Sequence, residues 1–229
     1  MKFKFSAICS VTLLACAAAS APAFAGTLWN FWALSGSPGQ PGSSFGTTQT
    51  TFSNDGLSMM AQSVSESAPP SGLSWMPGSA DLYAKNAGSI DEQGLGLTGD
   101  PSGSNEIYYP NGIELSGFSG HISGVMIGSI QGSATRGETW AVWGSNNGTS
   151  WTELGQGMGG LTENFQAASL LSYSDIIVSD PSPTPYTNSN DIVLMSVTTV
   201  PEPGTLALFA AGLLGCGLFL TRRRRSGQG

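Results

Sequence analysis

The stretch from residue 26 to residue 200 contains no cysteine, because Cys9, Cys16 and Cys216 all lie near the two ends of the chain. A disulfide framework is therefore excluded there, and His121, the single histidine, cannot build a zinc site alone. A Walker A phosphate-binding loop is also absent. We predict from these absences that the chain is not an enzyme and has no catalytic residue, no metal and no cofactor.

Basic residues are equally scarce in that stretch. It holds Lys85 and Arg136 against 14 acidic residues, a net charge of −12, compared with −7 for the whole chain. Such a surface does not attract nucleic acid or anionic lipid, so no nucleic-acid partner is expected. About 175 residues suffice for one ordinary domain with a real core.

The first 25 residues have the three parts of a secretory signal peptide. Two lysines precede an apolar run at residues 5–19, and Ala23 and Ala25 occupy the positions that a signal peptidase reads, which predicts cleavage before Gly26. An uncleaved anchor is an alternative, although the run is shorter than the ~20 residues that a span needs. Lipoprotein processing at Cys16 is a second one.

The other end predicts a membrane-spanning helix at about residues 204–220. This stretch carries no charge and would extend about 25 Å as a helix, slightly less than a hydrocarbon core. The run Arg222, Arg223, Arg224 and Arg225 follows and is expected to stop transfer and remain in the cytoplasm with residues 226–229. The domain would then lie outside the inner membrane. A plain single-pass anchor is the alternative.

The residues before this helix favour a more specific interpretation. Val200, Pro201, Glu202 and Pro203, the short apolar helix and the arginine run resemble the PEP-CTERM sorting signal of Gram-negative exported proteins. The resemblance covers residues 200–225. It implies recognition by an exosortase, cutting near the motif, release or transfer to the cell surface, and association with exopolysaccharide.

The central stretch is predicted to be all-β. Its glycine content is about 15%, twice the usual value, and short β-type runs recur between turn clusters without a sustained helical period. We expect residues 26–199 to form a single antiparallel β-sandwich, jelly-roll-like, between the signal peptide and the C-terminal transmembrane helix. The predicted strands are residues 27–33, 47–53, 57–64, 81–85, 106–109, 113–118, 122–130, 138–145, 150–154, 175–179 and 191–198, and residues 69–78 are predicted to be a loop.

The segment from Thr139 to Leu154 is the clearest predicted hairpin. By the two-residue period of a strand, Trp140 and Val142 share one face and Trp143 takes the other. The segment resembles a hairpin of discoidin-like and related jelly-roll sandwiches. Its tryptophans can stack on sugar rings, but hairpin tryptophans more often fill cores, and core packing is the favoured interpretation.

Acidic residues around position 100 are candidate ligands for a calcium ion. Oxygen atoms are available from Asp91, Glu92, Asp100, Asn105 and Glu106. Their spacing matches no EF-hand or RTX repeat, so solvated loop acids are the favoured interpretation.

Three functional hypotheses follow. The first is an exported cell-surface or matrix protein, with signal peptidase, the export machinery and exosortase as partners and exopolysaccharide or biofilm as its setting. The second is a carbohydrate-binding module of the cell envelope. A polysaccharide hydrolase ranks third, since paired carboxylates are available among the acids but no arrangement can be read from sequence.

Overall fold

A computed structural model describes residues 26–31, 42–54, 56–67, 74–86, 89–118, 120–133, 136–181 and 191–200. They belong to one compact unit, Gly26–Val200. Among these residues there is no α-helix, only two short 3-10 helices at Ile90–Glu92 and Ala168–Ser172, and none is long and apolar enough to cross a membrane. The predicted signal peptide and the predicted span at 204–220 lie outside the described residues.

Seventeen strands account for most of the described chain. In chain order they are β1 (Thr27–Asn30), β2 (Ser43–Ser44), β3 (Gln49–Asn54), β4 (Leu57–Ser67), β5 (Ser74–Pro77), β6 (Leu82–Asn86), β7 (Gln93–Leu97), β8 (Ile107–Tyr108), β9 (Asn111–Ser116), β10 (His121–Ile130), β11 (Gly132–Ser133), β12 (Arg136–Gly137), β13 (Thr139–Ser145), β14 (Thr152–Met158), β15 (Leu161–Phe165), β16 (Asp175–Ser179) and β17 (Asp191–Val200).

The strands form two large antiparallel sheets. Sheet A has the order β15-β10-β17-β7-β6-β2, with β1 and β8 also paired to β17. Sheet B has the order β14-β13-β16-β9-β4-β3, with β5 paired to β4, and β11 and β12 form a separate two-stranded ribbon. The prediction of an all-β antiparallel fold is confirmed.

One hydrophobic core combines side chains of both sheets. Leu95, Ile127 and Leu194 of sheet A and Leu115 and Val178 of sheet B are fully buried members of it. The central strand β17 is buried along almost its whole length, which explains its nearly continuous apolar sequence. The two sheets therefore share an interior, as the layers of a β-sandwich do.

Several predicted strands are confirmed closely. Residues 175–179 are β16, and the predicted hairpin at 47–64 is the antiparallel pair β3–β4, with Gly56 at φ +79° beside the turn. The first strand is shorter than predicted, because β1 ends at Asn30. The predicted loop at 69–78 is wrong in part, since Trp75 lies in β5 and pairs with Glu66 of β4.

Strand β7 is difficult to predict from its composition. Its sequence, Gln-Gly-Leu-Gly-Leu, resembles a turn, yet both glycines face neighbouring backbone. A Cβ atom on Gly94 would lie 2.6 Å from the carbonyl oxygen of Leu194, and one on Gly96 would lie 2.1 Å from that of Asn105. These glycines allow β17 and the segment before β8 to approach, which positions the acidic residues described next.

Candidate functional site

Asp100 anchors the loop that follows β7. Its two carboxylate oxygens accept hydrogen bonds from the backbone N–H groups of Ser102, at 2.9 Å, and Ser104, at 3.0 Å. Both serine hydroxyls also contact the carboxylate. Burial raises the pKa of Asp100, but these hydrogen bonds outweigh it and hold the pKa below its ordinary value. The side chain is therefore a fixed anion at neutral pH.

Glu106 stands next to a buried ammonium group. Lys85, on β6, forms an ion pair and hydrogen bond through Nζ with Glu106 Oε1, and the hydroxyl of Ser129 donates to the same oxygen. The side chains of Lys85 and Glu106 are only 8% and 4% exposed. Water is thus largely excluded from this pair.

Asp191, the first residue of β17, brings a third carboxylate to the same place. Its Oδ2 lies 3.0 Å from the hydroxyl oxygen of Ser102 and 3.4 Å from that of Ser104. Carboxylate oxygens of Asp100, Glu106 and Asp191 all lie within 4.8 Å of one another. Each serine hydroxyl has one proton but touches two carboxylates, so acceptors outnumber donors here.

Glu138, the residue before β13, completes the group. Its Oε2 accepts a hydrogen bond from the backbone N–H of Gln131 at 2.6 Å. Burial, with smaller contributions from the charges of Glu106 and Asp191, raises the pKa of Glu138 to about 8, although backbone hydrogen bonds oppose this. We call Lys85, Asp100, Glu106, Glu138 and Asp191 the buried acid cluster.

The cluster includes two of the five candidate calcium ligands, and because both are buried, the favoured interpretation as solvated loop acids is wrong for them. Asp100 and Glu106 belong to it, whereas Asp91 and Glu92 lie in the 3-10 helix Ile90–Glu92, and Asn105 adopts a φ of +59° and bonds to Gly103. Sequence reasoning missed Lys85, Glu138 and Asp191. Three carboxylates carry six oxygens, the fewest that calcium takes, but Lys85 already holds Glu106 Oε1 and backbone N–H groups hold both oxygens of Asp100, so the cluster alone does not define a cation site.

A second feature lies on the face of sheet B that points away from the core. Trp75, Trp143 and Trp151 pack there with Val64 and Ile177, and we call these five residues the Trp cluster. The rings of Trp75 and Trp143 meet edge to face, with centroids 6.3 Å apart. Trp143 also donates its indole N–H to Ser179 Oγ at 3.0 Å.

The hairpin tryptophans divide between the two faces as the strand period predicts. Trp140 and Val142 lie in the main core, and Trp140 packs on Phe165 with ring centroids 5.6 Å apart. Trp143, on the opposite face, is half-buried. Core packing is thus confirmed for Trp140 and not for Trp143.

Carboxylates lie on the same outer face as the Trp cluster. Glu114 pairs with Ile177 across β9 and β16, and Glu66 pairs with Trp75. Burial raises the pKa of both carboxyl groups, and the charge of Asp175 adds to the effect on Glu114. The face therefore combines aromatic rings with acidic groups of weakened ionisation.

Three short glycine motifs were not recognised from the sequence. Residues 42–46 have the G-x-S-x-G spacing of a hydrolase nucleophile elbow, and residues 94–99 and 155–160 have the G-x-G-x-x-G spacing of dinucleotide-binding loops. Each of these motifs requires a turn from a strand into an α-helix, but here they overlap the antiparallel strands β2, β7 and β14. The spacing alone carries no function in this fold.

His121 lies where the sequence places it, at the start of a strand. It is the first residue of β10 and pairs with Val200 of β17, with a half-buried side chain. Among the described residues no hydrogen-bond partner is found for its buried Nδ1.

The predicted processing sites lie at the edges of the described region. Gly26 directly precedes β1, and Val200 is the last residue of β17. Ala23, Ala25, residues 201–203 and Arg222 to Arg225 lie outside the described residues.

Comparison with known proteins gives one finding. The family model of the PEP-CTERM protein-sorting motif matches residues 199–225. No curated protein and no solved structure matches the chain.

Proposed function

From the PEP-CTERM sorting motif at residues 199–225, we propose that the chain is an exported protein of the cell surface or extracellular matrix that associates with exopolysaccharide and has no catalytic activity. Signal peptidase cuts before Gly26, and an exosortase recognises Val200, Pro201, Glu202 and Pro203. The observation that carries the proposal is this motif directly after a compact, strongly acidic β domain, which we infer to be jelly-roll-like.

The position of the motif suits cutting. Strand β17 ends at Val200, and the prolines that follow disfavour both a further strand and a helix. A cut near Pro201 would leave both large sheets complete. The helix at about 204–220 then acts as a temporary inner-membrane anchor, and the product leaves as an acidic domain.

Deletion of the gene tests this role. Loss of the protein should reduce biofilm, flocculation or polysaccharide retention, and the full-length gene should restore it. A gene that stops after Val200 should secrete the domain without restoring surface retention. An unchanged phenotype in all three assays would contradict the proposal.

A carbohydrate-binding role is the second candidate, and the Trp cluster favours it. Half-buried Trp143 and Trp151 offer indole surface beside the carboxylates of Glu66 and Glu114, and sugars bind to such aromatic surfaces with hydrogen bonds at the rim. Trp75 is 8% exposed and packs edge to face against Trp143, so it supports that ring.

Binding of the mature protein to the polysaccharide of its own host, with and without calcium, tests this candidate. Trp143→Ala should weaken binding at least tenfold, whereas Leu161→Ala, which removes a 60% exposed apolar side chain from sheet A, should leave it unchanged. Equal affinities for the two variants, or no binding by the parent protein, would exclude the Trp cluster as the glycan site.

The hydrolase hypothesis ranks third. Its candidate residues are Glu66 and Glu114, on the same face as the Trp cluster, because their raised pKa values suit a general acid. A scan that replaces each acid by its amide and leaves polysaccharide turnover unchanged would exclude it.

A further inference from the structure

We propose that Lys85 and Glu106 become joined by an intramolecular isopeptide bond inside the folded domain. The two side chains are in direct contact through Nζ and Oε1, 21 residues apart in the chain. They extend from β6 and from the residue before β8, two segments of the same sheet. The modification site is thus formed by the fold and requires no further protein.

Lys85 is an unusual lysine in this domain. It is the only lysine between residues 26 and 200, yet it is buried, although lysine is almost never buried unless it is paired. Its partner is buried too, and removing two charges from water is costly even when they pair. An amide in place of the ion pair eliminates both charges and leaves neutral groups that suit the interior better.

The reaction is a condensation that balances without an oxidant or a co-reactant. Proton transfer within the ion pair gives a neutral amine and a neutral carboxylic acid, and a desolvated lysine amine is a nucleophile. The Nζ lone pair attacks Cδ of Glu106 to form the Nζ–Cδ bond. The Cδ–O bond to the hydroxyl then breaks, and that oxygen leaves as water with one proton from Nζ and one from the acid.

Neighbouring groups are placed to assist these transfers. The hydroxyl of Ser129 donates to the Glu106 oxygen that Lys85 contacts, which orients the carboxyl group and polarises it for attack. Asp191 brings a carboxylate oxygen within 4.8 Å of one from Glu106, close enough to relay a proton between amine and leaving group. Burial of Lys85, Glu106 and Asp191 keeps water from reversing the reaction.

Such a bond would give the domain a covalent cross-link between distant residues. Without cysteine it cannot form a disulfide, although the exterior would permit one. A covalent link between β6 and the segment before β8 restrains the unfolded chain as a disulfide does, and reduction does not break it. The inference rests on the contact geometry and does not depend on polysaccharide association.

Tryptic digestion of the denatured mature protein tests the proposal directly. Between residues 26 and 200, trypsin can cut only after Lys85 and Arg136. The joined protein should be cut after Arg136 alone, and the fragment ending there should weigh one water molecule less than its sequence. The proposal would be overturned if, in protein aged in the folded state, trypsin cuts after Lys85 and the fragments have the full mass of their sequences.

Matched variants separate the bond from an ordinary ion pair. Lys85→Arg keeps the charge and the tryptic site but cannot form the amide, so it should be cut at both sites with no mass loss. Asp191→Asn should slow joining about 100-fold if the carboxylate relays protons, and joining at the parent rate would overturn that relay. If the parent protein shows the full mass and calcium alone raises its melting temperature, the cluster is a cation site and the proposal fails.

Discussion

The indole N–H of Trp29 donates a hydrogen bond to the hydroxyl of Thr199 across 170 residues of chain, with a donor–acceptor distance of 3.2 Å. Trp29 lies in β1 and Thr199 in β17, where Thr27 pairs with Thr199 in register. Thr199 is also the first residue that the sorting-motif model matches. The first strand of the domain is therefore hydrogen-bonded to the last strand, and the sorting motif follows that last strand directly.

Replacement of Trp29 by Phe should lower the free energy of unfolding by about 1–3 kcal/mol. The variant loses the hydrogen bond to Thr199 and part of a buried ring, because Trp29 is 3% exposed. The adjacent Leu28→Ala, which truncates a 52% exposed side chain, should change it by less than about 0.5 kcal/mol. Urea unfolding measures both, and equal losses would refute the role given to Trp29.

Leu194→Ala should be the more severe core truncation, with a loss of about 2–5 kcal/mol. Leu194 is fully buried in the central strand and pairs with Leu95 and Ile127. Leu161→Ala removes the same atoms from an exposed edge position and should cost little. Urea unfolding that showed similar losses for the two variants would argue against a core shared by the two sheets.

Sequence patterns predicted the fold where local chemistry dominates. The hairpin β3–β4 was evident from its Asp-Gly turn, and Trp140 and Trp143 were assigned to opposite faces from the strand period. Strand β15 was missed because its sequence, Leu-Thr-Glu-Asn-Phe, is mostly polar. Among the described strands β15 pairs with β10 alone, and a strand at the edge of a sheet needs no apolar alternation.

Sequence patterns could not predict the buried acid cluster, for a different reason. Ser102 and Asp191 are 89 residues apart and meet only because β17 lies at the centre of sheet A. Acidic residues are common in this chain, so composition does not distinguish the buried ones. The signal that was available is Lys85, a lone lysine between apolar strand residues and a glycine-rich strand.

Gly96→Ala should destabilise the domain by about 1–3 kcal/mol, because the added Cβ would lie 2.1 Å from the carbonyl oxygen of Asn105. At Gly124 the nearest atom to an added Cβ is Gln166 Cγ at 3.5 Å, an ordinary contact, so Gly124→Ala serves as the control. Thermal unfolding should separate the two. Equal melting temperatures would contradict the close approach of β7 to the segment before β8.

The titration of Glu138 should make the stability of the domain depend on pH. Its pKa in the folded state, about 8, exceeds the ordinary value of 4.5, so unfolding releases a proton between these pH values. The free energy of unfolding therefore falls as pH rises through this window. Glu138→Gln cannot titrate and should flatten the decline, while Glu153→Gln, an exposed control, should keep it. Melting temperatures from pH 4.5 to 8 test this, and parallel curves for all three proteins would contradict it.

Processing of the tail supplies the last prediction. Intact mass of the surface protein should correspond to a chain that begins at Gly26, ends near Pro201 and lacks Arg222 to Arg225. Glu202 is the only charge between Asp191 and Arg222 and stands between two prolines, so an enzyme in the bilayer has one anionic feature to recognise there. Glu202→Gln should increase the fraction that keeps its arginines at least tenfold.

The matched variant Glu153→Gln makes the same chemical change at an exposed site on β14 and should be processed as the parent protein is. Since both variants alter the net charge equally, a difference between them reports recognition of the motif and not the overall charge. Arginines still attached to the mature parent protein would leave a plain membrane anchor as the explanation. In that case the acidic domain would remain at the inner membrane, and its partner would have to be sought there.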